Sequence, residues 1–542
     1  MTINKVLICP CPDLKIDLRV LQEYLARGGL AARLPAPLCT PAGLKELKNY
    51  LASEPEGLLI AACGPEVNAD LFRRVFGEKA PPVIDLLSIS DPETAAGVLT
   101  LACAAPPEAA PRPAPASRDV LVVGGGIGGC QAALDLADAG HRVYLVDSSL
   151  SIGGTMAQLD KTFPTLDCSI CILGPRLVEV ATHNNIELLT FADLDSISGR
   201  AGAFEVTVTL KPRYVDMAKC VGCGSCAEVC PVIVPSRWNL GLKPRKCIRI
   251  IFAQAVPLSA TLEKEYCIDC QMCVAACDHQ AIDLGVAPVK KKLAVGAVIL
   301  ATGARPLDPA VKSEYGYGRI PRVLTALEYE RLVCATGPTG GSLIAPDGTP
   351  VKSLAFIQCV GSRDRRFLPY CSGICCTASI KEAMLALEHD PEIQATIFFN
   401  DIRTSGKGFE ELYLRAKKAG VRFIKGLPGR VEADALGRPV IHYDDQQAGQ
   451  RAQLTVDLAV LAAGLQAPKE LPVFEEAFPE RDAFGFLRGR HPTLYPVDST
   501  LPGVFLAGTC QGPQDISETV CQGSAAAARV MRLLSPKNKM TP

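Results

Sequence analysis

The sequence predicts an α/β protein of several domains, with a small cysteine-rich α+β segment inserted into its main parallel sheet. Three observations predict it. At 118–147, RDVLVVGGGIGGCQAALDLADAGHRVYLVD, an apolar strand, a glycine turn, an amphipathic helix and a second strand follow in succession. At 296–306 and 501–512, GAVILATGARP and LPGVFLAGTCQG are further apolar strand-like runs that end in glycine turns. Between the first and second of these segments, two runs of closely spaced cysteines interrupt the strand–helix alternation. The chain of 542 residues has length for roughly two to four domains.

Bulk composition narrows the function classes. Hydrophobic residues make up 48% and charged residues 21%, ordinary for a soluble protein with a sizeable core. A formal net charge of −1 points to no polyanionic partner, so nucleic acid is not expected. The N-terminus MTINKVLICPCPD has no basic region leading into an apolar stretch, so no signal peptide is expected. No apolar run reaches the ~18 residues of a membrane span; LAVGAVILATGA at 293–304 is too short and broken by glycine. A cytoplasmic chain with no transmembrane segment is the expectation. Cysteine stands out, with 24 residues. Without a secretory signal, metal or redox chemistry explains them better than a disulfide scaffold.

Taken in order, residues 1–105 alternate strand-like KVLICP and GLLIAAC with helix-like LRVLQEYLARGG and AGLKELKNYLA, a small α/β domain. PPEAAPRPAPAS marks a Pro/Ala linker, assigned to 106–117. A dinucleotide-binding domain then begins, its first part at 118–210. Gly124, Gly126 and Gly129 fit G-x-G-x-x-G, with Gly128 and the downstream Gly153 as further close-approach positions. Such a turn lets the backbone approach a pyrophosphate at a helix N-terminus. Asp147 ends the second strand, 18 residues past Gly129, where a carboxylate accepts from ribose hydroxyls.

Residues 211–287 form the insertion. C220-VG-C223-GS-C226-AEV-C230-P and C267-ID-C270-QM-C273-VAA-C277-D both read C-x2-C-x2-C-x3-C, a two-cluster ferredoxin pattern in which the fourth cysteine crosses to the other cluster. Cys220, Cys223, Cys226 and Cys277 are therefore assigned to one [4Fe–4S] cluster, and Cys267, Cys270, Cys273 and Cys230 to the other. Zinc is the alternative, but the spacing is unlike that of zinc ribbons. Asp278 stands where Pro231 follows the first run, which removes no ligand. The main domain resumes at 288–345 and again at 471–542. Residues 346–470 contain Cys359 at the end of an apolar strand, then Cys371, Cys375 and Cys376. Their spacing suits one further cluster or a set of packed cysteines.

Two resemblances sharpen these expectations. The segments at 296–306 and 501–512 resemble the accessory segments of two-dinucleotide-binding-domain flavoproteins, the thioredoxin reductase and glutathione reductase superfamily. That implies FAD, contacted by Thr302, Gly303, Gly508 and Thr509; the superfamily's usual Gly-Asp is here Gly508-Thr509. Residues 346–470 take the place of the superfamily's NAD(P)H domain, but 359–364 read CVGSRD in place of a second glycine fingerprint. Hydride transfer from NAD(P)H, as in the small subunit of glutamate synthase, is therefore not expected of this chain.

More specifically, SIGGTMAQLDKTFPTLDCSICILGPRLVEV, PRYVD, EYGYGRIP, FIQCVGSRDRRFLPYCSGICC, DIRTSGKGFEELY and FLAGTCQGPQDI resemble the A subunit of heterodisulfide reductase. The resemblance implies a thioredoxin-reductase-like two-dinucleotide-binding-domain flavoprotein. It carries an inserted two-cluster ferredoxin domain and a small N-terminal α/β cluster domain. A non-standard cluster is implied on Cys359, Cys371, Cys375 and Cys376. Lys381 is implied beside the flavin ring as the catalytic cation, where it stabilises negative charge on the reduced ring. An N-terminal cluster is implied on Cys9, Cys11, Cys39 and Cys63, which brings the expectation to FAD with about four [4Fe–4S] clusters. Cys168 and Cys171 read as a redox dithiol, a cluster contact or a packed structural turn. Cys103, Cys130, Cys247, Cys334, Cys510 and Cys521 are assigned to packing.

The implied function is electron transfer with splitting of electron pairs at FAD and passage of single electrons along clusters. Implied partners are other heterodisulfide-reductase-like subunits, ferredoxin, and a hydrogenase, dehydrogenase or reductase. A homodimer within a larger complex is expected. A non-bifurcating module of a quinone-linked, methylenetetrahydrofolate-reductase or aromatic-ring-reductase complex is the alternative. It is favoured by the lack, before Pro542, of the second ferredoxin segment that many family members carry.

Overall fold

The computed structural model describes residues 115–535 apart from 447 and 470. Within the first 114 it describes 5–11, 16–26, 30–33, 36–38, 40–53, 58–62, 83–85, 91, 92, 95, 96 and 99. The chain divides into two compact units, Met1–Pro113 with His491–Pro496, and Ala114–Arg490 with Val497–Pro542. In the first unit, four parallel strands run in the order Ala31–Arg33, Lys5–Ile8, Leu58–Ala62, Val83–Asp85. Helices α1 (Leu18–Ala26) and α2 (Pro41–Ser53) lie between them in sequence. Leu21 and Leu25 of α1 pack with Val6, Ile8, Leu59 and Ala61 in a small core. The strands KVLI and LLIAA and both helices fall where the sequence pattern puts them.

In the second unit, five parallel strands run through the first sheet, in the order Val504–Leu506, Ala297–Leu300, Val120–Val123, Val143–Asp147, Ile186–Thr190, and the outer edge of Val504–Leu506 pairs antiparallel at Asp498. Val120–Val123 is buried throughout, as a strand covered on both faces must be. Helix α3 (Ile127–Asp138) follows it, and α4 (Ser169–Thr182) covers the sheet with Leu173, Leu177 and Val180. A three-stranded antiparallel layer, Ala192–Arg200, Ala203–Leu210 and Val289–Val295, leads the chain out and back.

The insertion between those strands is built on two short hairpins and two four-residue helices, α5 (Ser225–Glu228) and α6 (Met272–Ala275). Buried Arg213, from the PRYVD segment, fixes it to the sheet. Its guanidinium donates to Leu150 O and Thr190 Oγ1, both at 2.7 Å, and to Thr261 Oγ1 at 2.9 Å. Burial draws its pKa down to about 10.

The second sheet is also parallel, with the order Val323–Thr325, Leu458–Ala463, Ser353–Val360, Gln394–Phe399, Arg422–Lys425. Helices α7 (Ala326–Val333), α8 (Cys375–His389) and α9 (Phe409–Lys418) accompany it. The chain then returns to the first sheet and ends in α10 (Ile516–Leu534), opened by an Asp515–Glu518 capping box. Helix α10 packs directly on α3 because glycines face each other: a Cβ on Gly523 would lie 2.5 Å from Gly128 O. The second unit is thus built on two sheets with parallel cores, the first of them carrying the cysteine-bearing insertion. Among the described residues no helix is long and apolar enough to cross a membrane.

Candidate functional site

The dinucleotide turn is built by three glycines with different duties. Gly124 has φ +104, and a Cβ there would meet Ala301 O at 2.3 Å. A Cβ on Gly129 would sit 1.9 Å from Gly124 O, so only glycine lets α3 start this close to the strand. Gly126 has open space around the same position. It is the N-cap of α3 with no side-chain cap, so the helix start offers backbone N–H groups to an anion. The Gly153–Gly154 turn lies against it: Gly153 N donates to Gly125 O at 2.7 Å. The Asp147 carboxylate accepts from Gly125 N at 2.6 Å and Ser149 N at 2.7 Å, which fixes it beside the turn.

At the end of the neighbouring strand, Thr302 Oγ1 is buried without a hydrogen-bond partner. A buried hydroxyl without a partner costs about 1–3 kcal/mol. A bound polar ligand supplies what is missing. Gly303, at φ +75, borders the Thr509 side chain, and Gly508 N donates to Gln522 Oε1 at 2.9 Å. A pyrophosphate seat, a ribose carboxylate and an unsatisfied hydroxyl thus converge at the carboxyl ends of adjacent strands, and these residues fit FAD.

In the insertion, one cavity is lined by Cys220, Cys223, Cys226 and Cys277, and a second by Cys230, Cys267, Cys270 and Cys273. This is the crossed arrangement expected from spacing. The thiols line two cavities, four from the spaced motifs in each, the grouping that a pair of iron–sulfur clusters requires. The two loops are near-copies: left-handed Gly222 and Gly224 in the first match left-handed Asp269 and Gln271 in the second. Cys226 is pushed up to about 11, first by burial and then by Cys220, Cys273, Cys223 and Cys277. Four thiolates set this close together need the positive charge of iron to coexist.

Cys247 also lines the second cavity. Sequence reading assigned it to packing because it belongs to no spaced motif. It is buried, its thiol donates to Glu263 O at 3.1 Å, and it reaches the cavity from the link between two hairpins.

Cys359, Cys371, Cys375 and Cys376 come together at the end of the strand Ser353–Val360 and the start of α8. The strand shifts register between Ile357 and Val360, and Cys359 takes φ +57, strained for a non-glycine residue. Its thiol is pushed up to about 11 by burial, then by Cys376. Cys375 is raised by burial, Cys359, Cys376 and Cys371 in turn. The Arg363 side chain hydrogen-bonds Cys359 and pairs with Asp401 at 2.8 Å. In a nucleotide-binding sheet this helix start would face a pyrophosphate; here it carries two cysteines.

Lys381, in the second turn of α8, is not solvated. It is 2% exposed, as is its partner Glu330 of α7, with which it forms a salt bridge. It also donates to Lys161 O at 3.0 Å. Glu382 beside it is raised well above the carboxylate range by burial and then by Glu330. Asp160 N donates to Glu330 Oε2 at 2.9 Å, so the loop following Gly153 is tied to this buried ion pair.

The remaining cysteines divide. Cys9 and Cys11 are buried at the end of Lys5–Ile8, and Leu38 N donates to Cys9 Sγ at 3.2 Å. Cys39, Cys63 and Cys103 lie outside the described residues. Cys168 and Cys171 are disulfide-bonded. Cys130, Cys334 and Cys510 are buried as expected, whereas Cys521 is exposed on α10, so its packing assignment is corrected. Helix period explains the error: buried Gly523, Ala526, Ala527 and Val530 define the inner face, which excludes position 521.

Comparison with known proteins matches these features. The FAD-dependent oxidoreductase family model matches residues 119–164, and the 4Fe-4S binding domain model matches 213–232. The iron-sulfur A subunit of the CoB–CoM heterodisulfide reductase of Methanocaldococcus jannaschii is 40% identical over 541 residues, 95% of this chain and 82% of that protein. The chain belongs to the heterodisulfide reductase A-subunit family. Another family member, the A subunit of the H2:CoB-CoM heterodisulfide,ferredoxin reductase of Methanothermobacter marburgensis, is 46% identical over 413 residues, 76% of this chain. The match spans 63% of that protein's length. Among solved structures, Lactococcus lactis thioredoxin reductase aligns over 77% of this chain and 99% of its own, with 14% identity and a TM-score of 0.45. FAD and [4Fe–4S] clusters are the cofactors of this heterodisulfide reductase A-subunit homologue.

Proposed function

We propose that the chain is the FAD- and [4Fe–4S]-containing electron-transfer subunit of a heterodisulfide-reductase-like complex. It splits electron pairs at FAD and passes single electrons along its clusters to ferredoxin and a partner reductase subunit. The observation that carries this reading is the convergence of twelve cysteines into three sets of four in a chain whose first sheet ends in a dinucleotide seat. The names of two relatives support it: the Methanothermobacter marburgensis protein is the A subunit of an H2:CoB-CoM heterodisulfide,ferredoxin reductase, and a Methanosarcina mazei relative is the A subunit of a ferredoxin:CoB-CoM heterodisulfide reductase.

Bound here, FAD exchanges electrons in pairs or singly, and each cluster exchanges one at a time. The chain's own residues do the rest. Gly124, Gly126, Gly128 and Gly129, with Gly153, seat the pyrophosphate, and Asp147 holds the ribose. Thr302, Gly303, Gly508 and Thr509 face the remainder of the ligand. Arg213 holds the ferredoxin-type insertion against the loop at 150, so its cysteine loops keep a fixed position relative to the seat. Arg363, hydrogen-bonded to Cys359, offsets thiolate charge at the third cluster. Lys381 places one cation at the flavin end of α8, and Glu330 fixes its position. Cys9, Cys11, Cys39 and Cys63 are assigned to a fourth cluster.

The test is anaerobic: iron, sulfide and flavin analysis of the purified chain, then ferredoxin reduction with the partner subunits present. We expect about 16 Fe per FAD, and ferredoxin reduction by a donor that reduces it only while a disulfide acceptor is reduced as well. Ferredoxin reduction that proceeds equally without that acceptor makes the chain a non-bifurcating conductor. A chain that holds neither iron nor flavin overturns the proposal.

A further inference from the structure

Helix α4 begins with two cysteines that the electron-transfer reading does not use. Cys168 is its N-cap and Cys171 lies in its first turn; the two are joined as a disulfide. Cys168 is half-buried and Cys171 exposed. Three features separate this pair from a structural cross-link. First, it closes a loop of only two intervening residues, where an entropic cross-link adds little. Second, the amide of Cys171 donates to Cys168 Sγ at 3.3 Å, so one sulfur is already held by a helix-start N–H. Third, the fold at this point is secured without it. Ser169 N donates to Asp160 O at 2.9 Å, Ser169 Oγ donates to Met156 O at 2.7 Å, and Lys161 bridges Cys168 in antiparallel register. A cysteine pair spaced C-x-x-C at the start of a helix has its thiolate stabilised by the helix end and its partner amide.

We propose that Cys168 and Cys171 form a reversible dithiol–disulfide couple that exchanges an electron pair with an external dithiol. The external thiolate attacks the exposed Cys171 Sγ, the Cys168–Cys171 bond breaks, and its electron pair leaves on Cys168 Sγ. The Cys171 amide stabilises that thiolate. The second external thiol then attacks the mixed disulfide and releases Cys171. The external dithiol is oxidised to its disulfide, and its two protons end on Cys168 and Cys171. Oxidation of the pair runs the same steps backwards with an external disulfide. A low-pKa leaving sulfur speeds the first step, and exposure of the attacked sulfur permits it.

The test uses the purified full-length holoprotein under anaerobic conditions, equilibrated with dithiothreitol at defined reduced-to-oxidised ratios, acid-quenched and alkylated. Trypsin releases TFPTLDCSICILGPR, residues 162–176, in which these are the only cysteines. The peptide is expected to carry two labels or none, passing from mostly one form to mostly the other across about a hundredfold change in ratio, as a two-electron couple does. Cys171→Ser is expected to keep full iron and flavin content while Cys168 becomes labelled at every ratio. A peptide whose labelling does not change with ratio in a protein of native iron and flavin content overturns the proposal. So does loss of about four iron atoms in Cys171→Ser, which would make the residue a cluster ligand.

Discussion

Gly126 separates what a residue does for the fold from what it does for the ligand. Its φ of −71° and ψ of 177° are extended values that any residue adopts, and a Cβ there meets nothing within 4 Å. Gly126→Ala is therefore expected to leave the flavin-free protein intact. It should even gain about 0.4–1 kcal/mol, because alanine has fewer unfolded conformations to lose. The added methyl instead projects into space left for a pyrophosphate approaching the helix start. A loss of at least about 1.4 kcal/mol in binding, tenfold in Kd, follows if backbone contact there is as close as the fingerprint requires. The control is Gly129→Ala, whose Cβ would lie 1.9 Å from Gly124 O. It must part α3 from the strand, at a cost of about 3 kcal/mol to the fold itself. Thermal denaturation of deflavinated protein reads the first quantity, and FAD fluorescence titration reads the second. An unchanged Kd in Gly126→Ala, with Tm not lowered, would refute the assignment of this turn to the cofactor.

Cys376→Ser should remove one cluster, lowering iron by about four atoms per chain while the ferredoxin-pair EPR signals persist; unchanged iron would reject the third cluster. Lys381→Met leaves buried Glu330 without its cation and should cost about 3–5 kcal/mol in chemical denaturation, most of it recovered by adding Glu330→Gln. A loss below about 1 kcal/mol would show that the pair does not hold α7 to α8. Glu382 supplies a pH test. Burial and Glu330 raise its folded pKa well above the ordinary 4.5 of a glutamate, so above that value the folded chain keeps a proton that the unfolded chain releases. Its contribution to stability is full below that value and declines as pH rises toward the folded pKa. Glu382→Gln should therefore gain on the wild type as pH rises, seen as diverging urea midpoints; parallel midpoints would contradict it.

Much of the site was legible because ligand geometry forces spacing onto the chain. Three cysteines gripping one cluster must recur every third residue, and a pyrophosphate turn must place glycines two and then three apart. Both signals survive in the sequence without any tertiary information. Cys247 carried no such mark, since it reaches its cavity from a distant strand link and only three-dimensional packing brings it there. Lys381 was legible only through family resemblance. Its burial depends on Glu330, 51 residues away on another helix, and no local pattern encodes that partnership. The packing assignment of Cys521 failed for the converse reason: a small apolar residue type was weighed without its angular position on α10. The first sheet was readable from its glycine-ended strands. The second sheet was recognised by its place in the order, because its own nucleotide turn has been replaced by thiols.

With clusters bound as proposed, the exchange of Cys230 and Cys277 between the two loops of the insertion makes them a single metallic latch. Cys230 is delivered by the first loop to the second loop's cavity, and Cys277 makes the return trip. Neither loop can close around iron while its twin is open. Oxidative loss at one position should consequently unfasten both, so that the insertion loads and fails as a whole and half-loaded molecules stay scarce.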